Sequence, residues 1–190
     1  MQYIRGLDSY KNTNASAITF GKFDGLHLGH ELLIQQVIEL QNRENVDGIV
    51  FAFDMSPFYE KMNIEPDFLM SNEEKAKLLE GRVSYFIDCP FVEEISSMDA
   101  EAFIEKIIAN KFHAKYVVVG TDFRFGYQKR GDYKMLQDYS EKFGYEVLVL
   151  EKKCHEGREI SSTYIKEELR KGNMELVDKL LGYSYQEHKK

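Results

Sequence analysis

Apolar residues gather in short runs, and the stretches between them carry apolar residues at helical spacing. Ala15 to Phe20 is one run and stops at Gly21. Gly48 to Phe53 is a second, closed by Asp54 and Pro57. Arg82 to Ile87, Tyr116 to Val119 and Tyr145 to Leu150 complete the set. Runs of this length bounded by turn residues predict buried strands. Leu28 to Leu40 has apolar residues at 28, 32, 33, 37 and 40, which predicts a helix. Ser71 followed by Glu74 is a capping box and opens a second helix. A third begins at 97–99 and presents Phe103, Ile104, Ile107 and Ile108 on one stripe. Asp132 caps a fourth, running to about Phe143. Ser161 or Ser162 caps a final pair broken at Gly172-Asn173. Strands that alternate with helices from end to end predict an α/β fold: about five parallel strands with helices on both faces. Residues 1–190 are expected to form a single domain. The irregular segments 54–71 and 120–132 are long enough to build a small subdomain at its edge. In such sheets ligands sit at the carboxyl ends of the strands, so these segments are functional candidates.

Composition narrows the function. The chain has 190 residues, of which 43% are hydrophobic and 30% charged, with formal net charge -7. That sign argues against a general nucleic-acid binder, which needs a basic face. An anionic ligand is expected only where local cations and backbone N–H groups overcome the global charge. Cys89 and Cys154 form no C-x-x-C and read as reduced thiols of a cytosolic protein. No apolar run reaches the ~18 residues of a membrane span. Met1 leads directly into Gln2-Tyr3-Ile4-Arg5 without a signal-peptide core, so the cytoplasm is the expected location.

The candidate chemistry lies in TFGKFDGLHLGHELL, residues 19–33. Gly21 ends the first strand, and Gly29-His30 begins the first helix. Gly21, Gly25 and Gly29 permit close backbone approach and positive φ. The free N–H groups of a helix start, with the helix dipole behind them, form an anion site. His27 and His30 add two side-chain donors, and a polyphosphate suits this set better than a neutral ligand. Zinc is the weaker reading, because no carboxylate or thiol in this stretch is clearly placed to complete two histidine ligands.

His27-Leu28-Gly29-His30 resembles the H-x-G-H signature of the nucleotidyltransferase superfamily. Two further stretches, VVVGTDFRFGYQKRGD (117–132) and ISSTYIKEELRKGNMELVDKLLGYSY (160–185), stand in an order and spacing similar to the FMN adenylyltransferase domain of bacterial FAD synthetases. The likeness covers nearly the whole chain, and the DFRFG loop is its most specific element. It implies a Rossmann-like nucleotidyltransferase fold and the reaction ATP + FMN → FAD + diphosphate. It also implies Mg²⁺ arriving with ATP, held mostly by phosphate oxygens and water, so no protein metal ligand is named. Gly21, Phe23, Asp24, Gly25, Gly29, Ser161, Ser162 and Thr163 would line the ATP site. His27, His30 and Lys166 would be catalytic, the histidines on the ATP phosphates. Phe53, Pro57, Asp122, Phe123, Arg124, Phe125 and Gly126 would form the FMN pocket, with one of the two loop phenylalanines in the core.

The chain departs from the family pattern in places. Phe53-Asp54-Met55-Ser56-Pro57 stands where the family reads F-x-P-H-P. Tyr164 and Lys166 replace two arginines of S-S-T-R-I-R. Lysine keeps the charge but loses the bidentate fork, so phosphate binding is expected to survive in weakened form. No G-x-P-T-A-N-like riboflavin kinase motif follows the L-G-x-x-Y segment before Lys190, so adenylyl transfer without kinase activity is expected. Two other readings stand beside this one: a nucleotidyltransferase for another phosphorylated small molecule, and a flavin- or nucleotide-binding regulatory protein with little catalysis.

Overall fold

A computed structural model describes residues 1–188 of the chain. The side chain of His188 and the last residues to Lys190, on which the expectation about the end of the chain rests, lie outside the described residues. Among the described residues, six strands form one wholly parallel sheet: β1 (Gln2–Arg5), β2 (Ser16–Gly21), β3 (Asp47–Asp54), β4 (Tyr85–Pro90), β5 (Ala114–Gly120) and β6 (Glu146–Leu150). Their spatial order is β1-β4-β3-β2-β5-β6. Five of them match the apolar runs. β4 begins at Tyr85 rather than Arg82, because Arg82 still donates its amide to Leu79 in a turn. β1 is the strand that periodicity missed. Only Ile4 of its four residues is buried, since β1 is an edge strand paired to β4 alone.

The alternation of side chains along each strand divides them between two cores. Ile18 and Phe20 of β2, Ile49 and Phe51 of β3, and Val117 and Val119 of β5 face one side, against Phe103, Ile104, Ile107, Ile108 and Leu136. Ala17, Val50, Ala52 and Val118 face the other, against Ile34, Val37 and Leu40 of α1 (Leu28–Glu44) and Leu79 of α2 (Asn72–Leu79). Both faces are therefore covered, as a parallel sheet requires. The expected helix at 103–111 is wound as a π-helix after a short α-turn at Ala100–Ala102. The capping box Ser71–Glu74 is present, as is the Asp132 cap on α3 (Tyr133–Phe143). The last pair comprises α4 (Ser162–Arg170), capped by Ser161, and α5 (Met174–Leu181). It packs Tyr164, Ile165, Val177 and Leu180 into a third cluster with Leu69.

From β2 the chain steps to β3 and β4 on one side, then returns to place β5 on the other side of β2. The strand order reverses between β2 and β5. At such a switch point the connections leave in opposite directions and open a crevice at the strands' carboxyl ends. The segments 54–71 and 120–132 both border it. The first contains a short helix, Ser56–Lys61; the second folds back as a two-strand ribbon, Arg124–Phe125 against Gly131–Asp132.

Candidate active site

A cleft of about 640 Å³ occupies that crevice. One wall is the turn from β2 into α1. Positive φ falls at Gly25 (87°), as expected, but also at Phe23 (50°) and Leu26 (38°), and not at Gly21 or Gly29. A bulky residue in the left-handed region is strained unless its surroundings hold it. Phe23 is held by complete burial in the α1-side core, so it buttresses the site, with its ring edge-on to His30 at 5.1 Å. Gly29 is required for a different reason. A Cβ there would stand 3.1 Å from His27 Nδ1 and 3.2 Å from the Ile160 carbonyl oxygen, so any larger residue would push the histidine and the start of α4 apart.

His27 is the N-cap of α1 and gives that helix no side-chain cap; the His30 amide is taken by the His27 carbonyl at 2.8 Å, which leaves the Leu28 and Gly29 amides of the first turn for a ligand. The rings of His27 and His30 stack with centroids 3.6 Å apart, and both line the cleft. By hydrogen-bond geometry the buried Nδ1 of each has no partner among the described residues, and the His27 ring has a polar interaction with its own backbone. Burial pushes His27 down to about 4. His30 lies well below 6.5, first through burial and then through the neighbouring His27 and Lys75. At neutral pH both are uncharged imidazoles, each with an N–H to donate.

The opposite wall is the start of α4. Ser161 Oγ accepts the Tyr164 amide at 3.2 Å, and Ser162 Oγ donates to the Asp24 carbonyl at 2.8 Å. The Ser161 hydroxyl caps α4 itself, the Ser162 hydroxyl joins α4 to the first loop, and Thr163 lines the cleft beside them. Lys166 pairs with Asp24 at 2.7 Å and also donates to the Asp67 carbonyl, while the other Asp24 oxygen accepts the Leu69 amide at 2.7 Å. Asp24 thus fastens Lys166 and the segment 67–69 to the first loop. Tyr164, which replaces a family arginine, is buried in the third cluster with the Arg158 guanidinium 3.9 Å above its ring.

The residues expected around a flavin are dispersed. Phe53 and Asp122 line the cleft, and Asp122 is tied to Lys152 at 2.9 Å. Phe125 is the loop phenylalanine in the core, against Phe103; Phe123 is half-buried and stacks on Phe125 at 5.5 Å. Arg124 is exposed and donates to the Phe123 carbonyl at 2.8 Å. Gly126 packs close against Ala100, and Pro57 sits in the first turn of the short helix, so neither is part of the cleft lining. Ser56, where the family has histidine, donates through Oγ (2.6 Å) and N (2.9 Å) to Asp54 and closes the turn after β3.

Other lining residues had not been singled out from sequence: Lys22, Tyr59, Phe68, Asn72, Lys75 and Asp88. Lys75 was legible in principle. It sits one helical turn before Leu79 and, like it, is a buried position of α2, where a solvated lysine does not belong. Asp88 accepts from Tyr3 and Asn72, each at 2.9 Å, and burial raises its pKa above the usual carboxylate value. It depends on β1, the strand that periodicity missed.

A switch-point cleft with a paired-histidine helix start on one wall and a serine-capped helix start on the other gathers anion-binding groups on two sides. The chain belongs to the FAD synthetase family, whose model matches residues 9–164. It is 33% identical over 189 residues to the bifunctional riboflavin kinase/FMN adenylyltransferase of Haemophilus influenzae, covering 97% of this chain and 61% of that protein. The protein of the same name from Escherichia coli K12 is 30% identical, with 97% and 60% covered. That from Buchnera aphidicola of Schizaphis graminum is 31% identical, with 96% and 60% covered. The chain therefore spans about three fifths of the length of these relatives. A solved structure titled macrolide-efflux protein, from Streptococcus pneumoniae, superposes with TM-score 0.81 at 26% identity over 95% of this chain and 60% of that one. Among the described residues no helix is long and apolar enough to cross a membrane.

Proposed function

We propose that this chain is an FMN adenylyltransferase, joining ATP and FMN to give FAD and diphosphate. The observation that carries the reading is the stacked His27–His30 pair, whose buried Nδ1 atoms have no hydrogen-bond partner among the described residues, in a cleft at the switch point of a FAD synthetase-family sheet. The FMN phosphate, with a second pKa of about 6, is already a nucleophile at neutral pH, so no strong base is needed. Its oxygen forms the new bond to the α-phosphorus of ATP. The bond from that phosphorus to the bridging oxygen breaks, and diphosphate leaves with the electron pair. The protein's task is to hold two anions in line and to offset the charge on the leaving group. His27, His30, the first amides of α1 and α4, Thr163 and Lys166 serve the ATP phosphates. Asp24 positions Lys166. Phe53 and Asp122 face the flavin side, with Phe123, Arg124, Phe125, Gly126 and Pro57 shaping the flanks that border it. Mg²⁺ arriving with ATP would be held chiefly by ATP oxygens and water. The whole chain acts as one unit, with 54–71 and 120–132 as its flavin-side flank. It works in the cytoplasm on small molecules, without nucleic acid.

Incubation with Mg-ATP and FMN, followed by chromatography, is expected to yield FAD. Riboflavin, which lacks the phosphate nucleophile, is expected to yield none. No FAD from FMN, oxidised or reduced, would overturn the reading. Transfer to a different phosphomonoester is the second reading. It is favoured by the carboxylates Asp54 and Asp88, which make the acceptor end more polar than aromatic walls alone would.

Lys166→Ala is expected to raise the KM for ATP about tenfold, the worth of one charge-assisted contact. The loss also leaves Asp24 facing the phosphates without its counter-ion, 2.7 Å away in the native protein. Initial rates at varied ATP check this, and unchanged KM and kcat would remove Lys166 from the site.

A further inference from the structure

Lys75 is 5% exposed, yet it lines the cleft. Its ammonium donates to the Lys22 carbonyl at 3.2 Å and to Asn72 Oδ1 at 2.8 Å. Both acceptors are neutral. Among the described residues, no carboxylate lies within ion-pair distance of Lys75. An ammonium has three N–H groups, and the third has no partner among the described residues. Burying a cation without a contacting counter-ion is costly, since Asp24, Asp88, Asp54 and Glu73 act on Lys75 only from beyond ion-pair distance, and such a group is stabilised further by an arriving anion. Its two partners fix where that anion must lie. The Lys22 carbonyl belongs to the turn that carries His27 and His30, on the ATP side. Asn72 donates onward to Asp88 at the end of β4, on the acceptor side.

We propose that Lys75 is a further catalytic residue, whose free N–H binds the acceptor's phosphate where it meets the α-phosphate of ATP. The proposal rests on the adenylyl-transfer reading and adds to it the group that brings the two anions together. In this role Lys75 is a hydrogen-bond donor and transfers no proton. It offsets the repulsion between the nucleophile and the triphosphate while the new P–O bond forms and diphosphate departs. A lysine that only braced the turn would be satisfied by its two hydrogen bonds and would not distinguish a phosphorylated acceptor from an unphosphorylated one.

The test is the affinity ratio of FMN to riboflavin, read by flavin fluorescence with the cleft filled by a non-hydrolysable ATP analogue. Lys75→Met is expected to weaken FMN by about 10- to 100-fold, the worth of a hydrogen bond to a charged group. Riboflavin and the analogue should change by less than about twofold. Lys75→Arg should recover part of the ratio. A parallel loss of FMN, riboflavin and analogue affinity would mean that Lys75 only braces the turn, and would overturn the proposal. Should Lys75→Met not fold, Lys75→Gln and Lys75→Arg carry the same comparison, the first losing the ratio and the second keeping it. A wild-type protein that binds neither flavin would count against the FMN reading instead. Inorganic phosphate then serves as the probe beside the ATP analogue. It should raise the unfolding midpoint of the wild type and not of Lys75→Met, and equal shifts in both would overturn the assignment.

Discussion

Replacing His30 by alanine is expected to lower kcat for FAD formation by about 10²- to 10³-fold, the range for deleting one preorganised donor to a developing charge. The effect is large because the site is already arranged. The two imidazoles stack at 3.6 Å, Phe23 supports His30 from the side, and Gly29 leaves room for the His27 ring. Nothing has to reorganise when charge builds on the phosphates. His27→Ala should cost a similar factor, and the double variant much less than the product of the two, since the rings act as one surface. Rapid-quench measurement of FAD formation, with unfolding midpoints as a control for folding, checks this. A fall of less than about fivefold for His30→Ala, with the fold intact, would move the triphosphate away from this pair.

The same histidines are expected to make the unliganded protein sensitive to acid. Both are held neutral by burial, so each binds its proton more readily in the unfolded chain than in the folded one. Their contribution to stability is therefore fully present above about pH 6.5, the ordinary histidine value, and is lost as pH falls. For His27 the loss is complete near the folded value of about 4. It amounts to a few kcal/mol, on the order of 3 for the separation between those two values. Urea unfolding of wild type and His27→Ala at pH 7 and at about pH 4.5 isolates the term from other acid effects. The variant should lose less stability between the two conditions than the wild type does. Equal losses would mean that the imidazole is solvated in the folded protein and not packed against its partner.

The chain's periodicity was enough for the architecture. Strict runs such as YVVV and GIVFAF are buried on both faces only in a covered parallel sheet, so their presence dictated the layers. The caps at Ser71, Asp132 and Ser161 are local chemistry and were legible for that reason. So was the first motif, because glycine and histidine next to a helix start have few other uses. What sequence could not decide was which residues share a space. β1 carries one buried residue and has no pattern to read, yet it brings Tyr3 to Asp88. Phe123 and Phe125 stand two apart in one loop, and only packing against Phe103 made Phe125 the core residue. Asp24 and Lys166 are far apart in the chain, and their pairing exists only because α4 docks on the first loop through Ser162. Lys75 shows the division most clearly. Its place on a buried helix face was written in the spacing to Leu79, but its chemistry depends on a carbonyl in one loop and an amide that reaches a strand from another. Local sequence sets the period, the caps and the turn chemistry through short-range sterics and hydrogen bonds. The contents of the cleft come from non-local contacts, which only the folded sheet brings within reach.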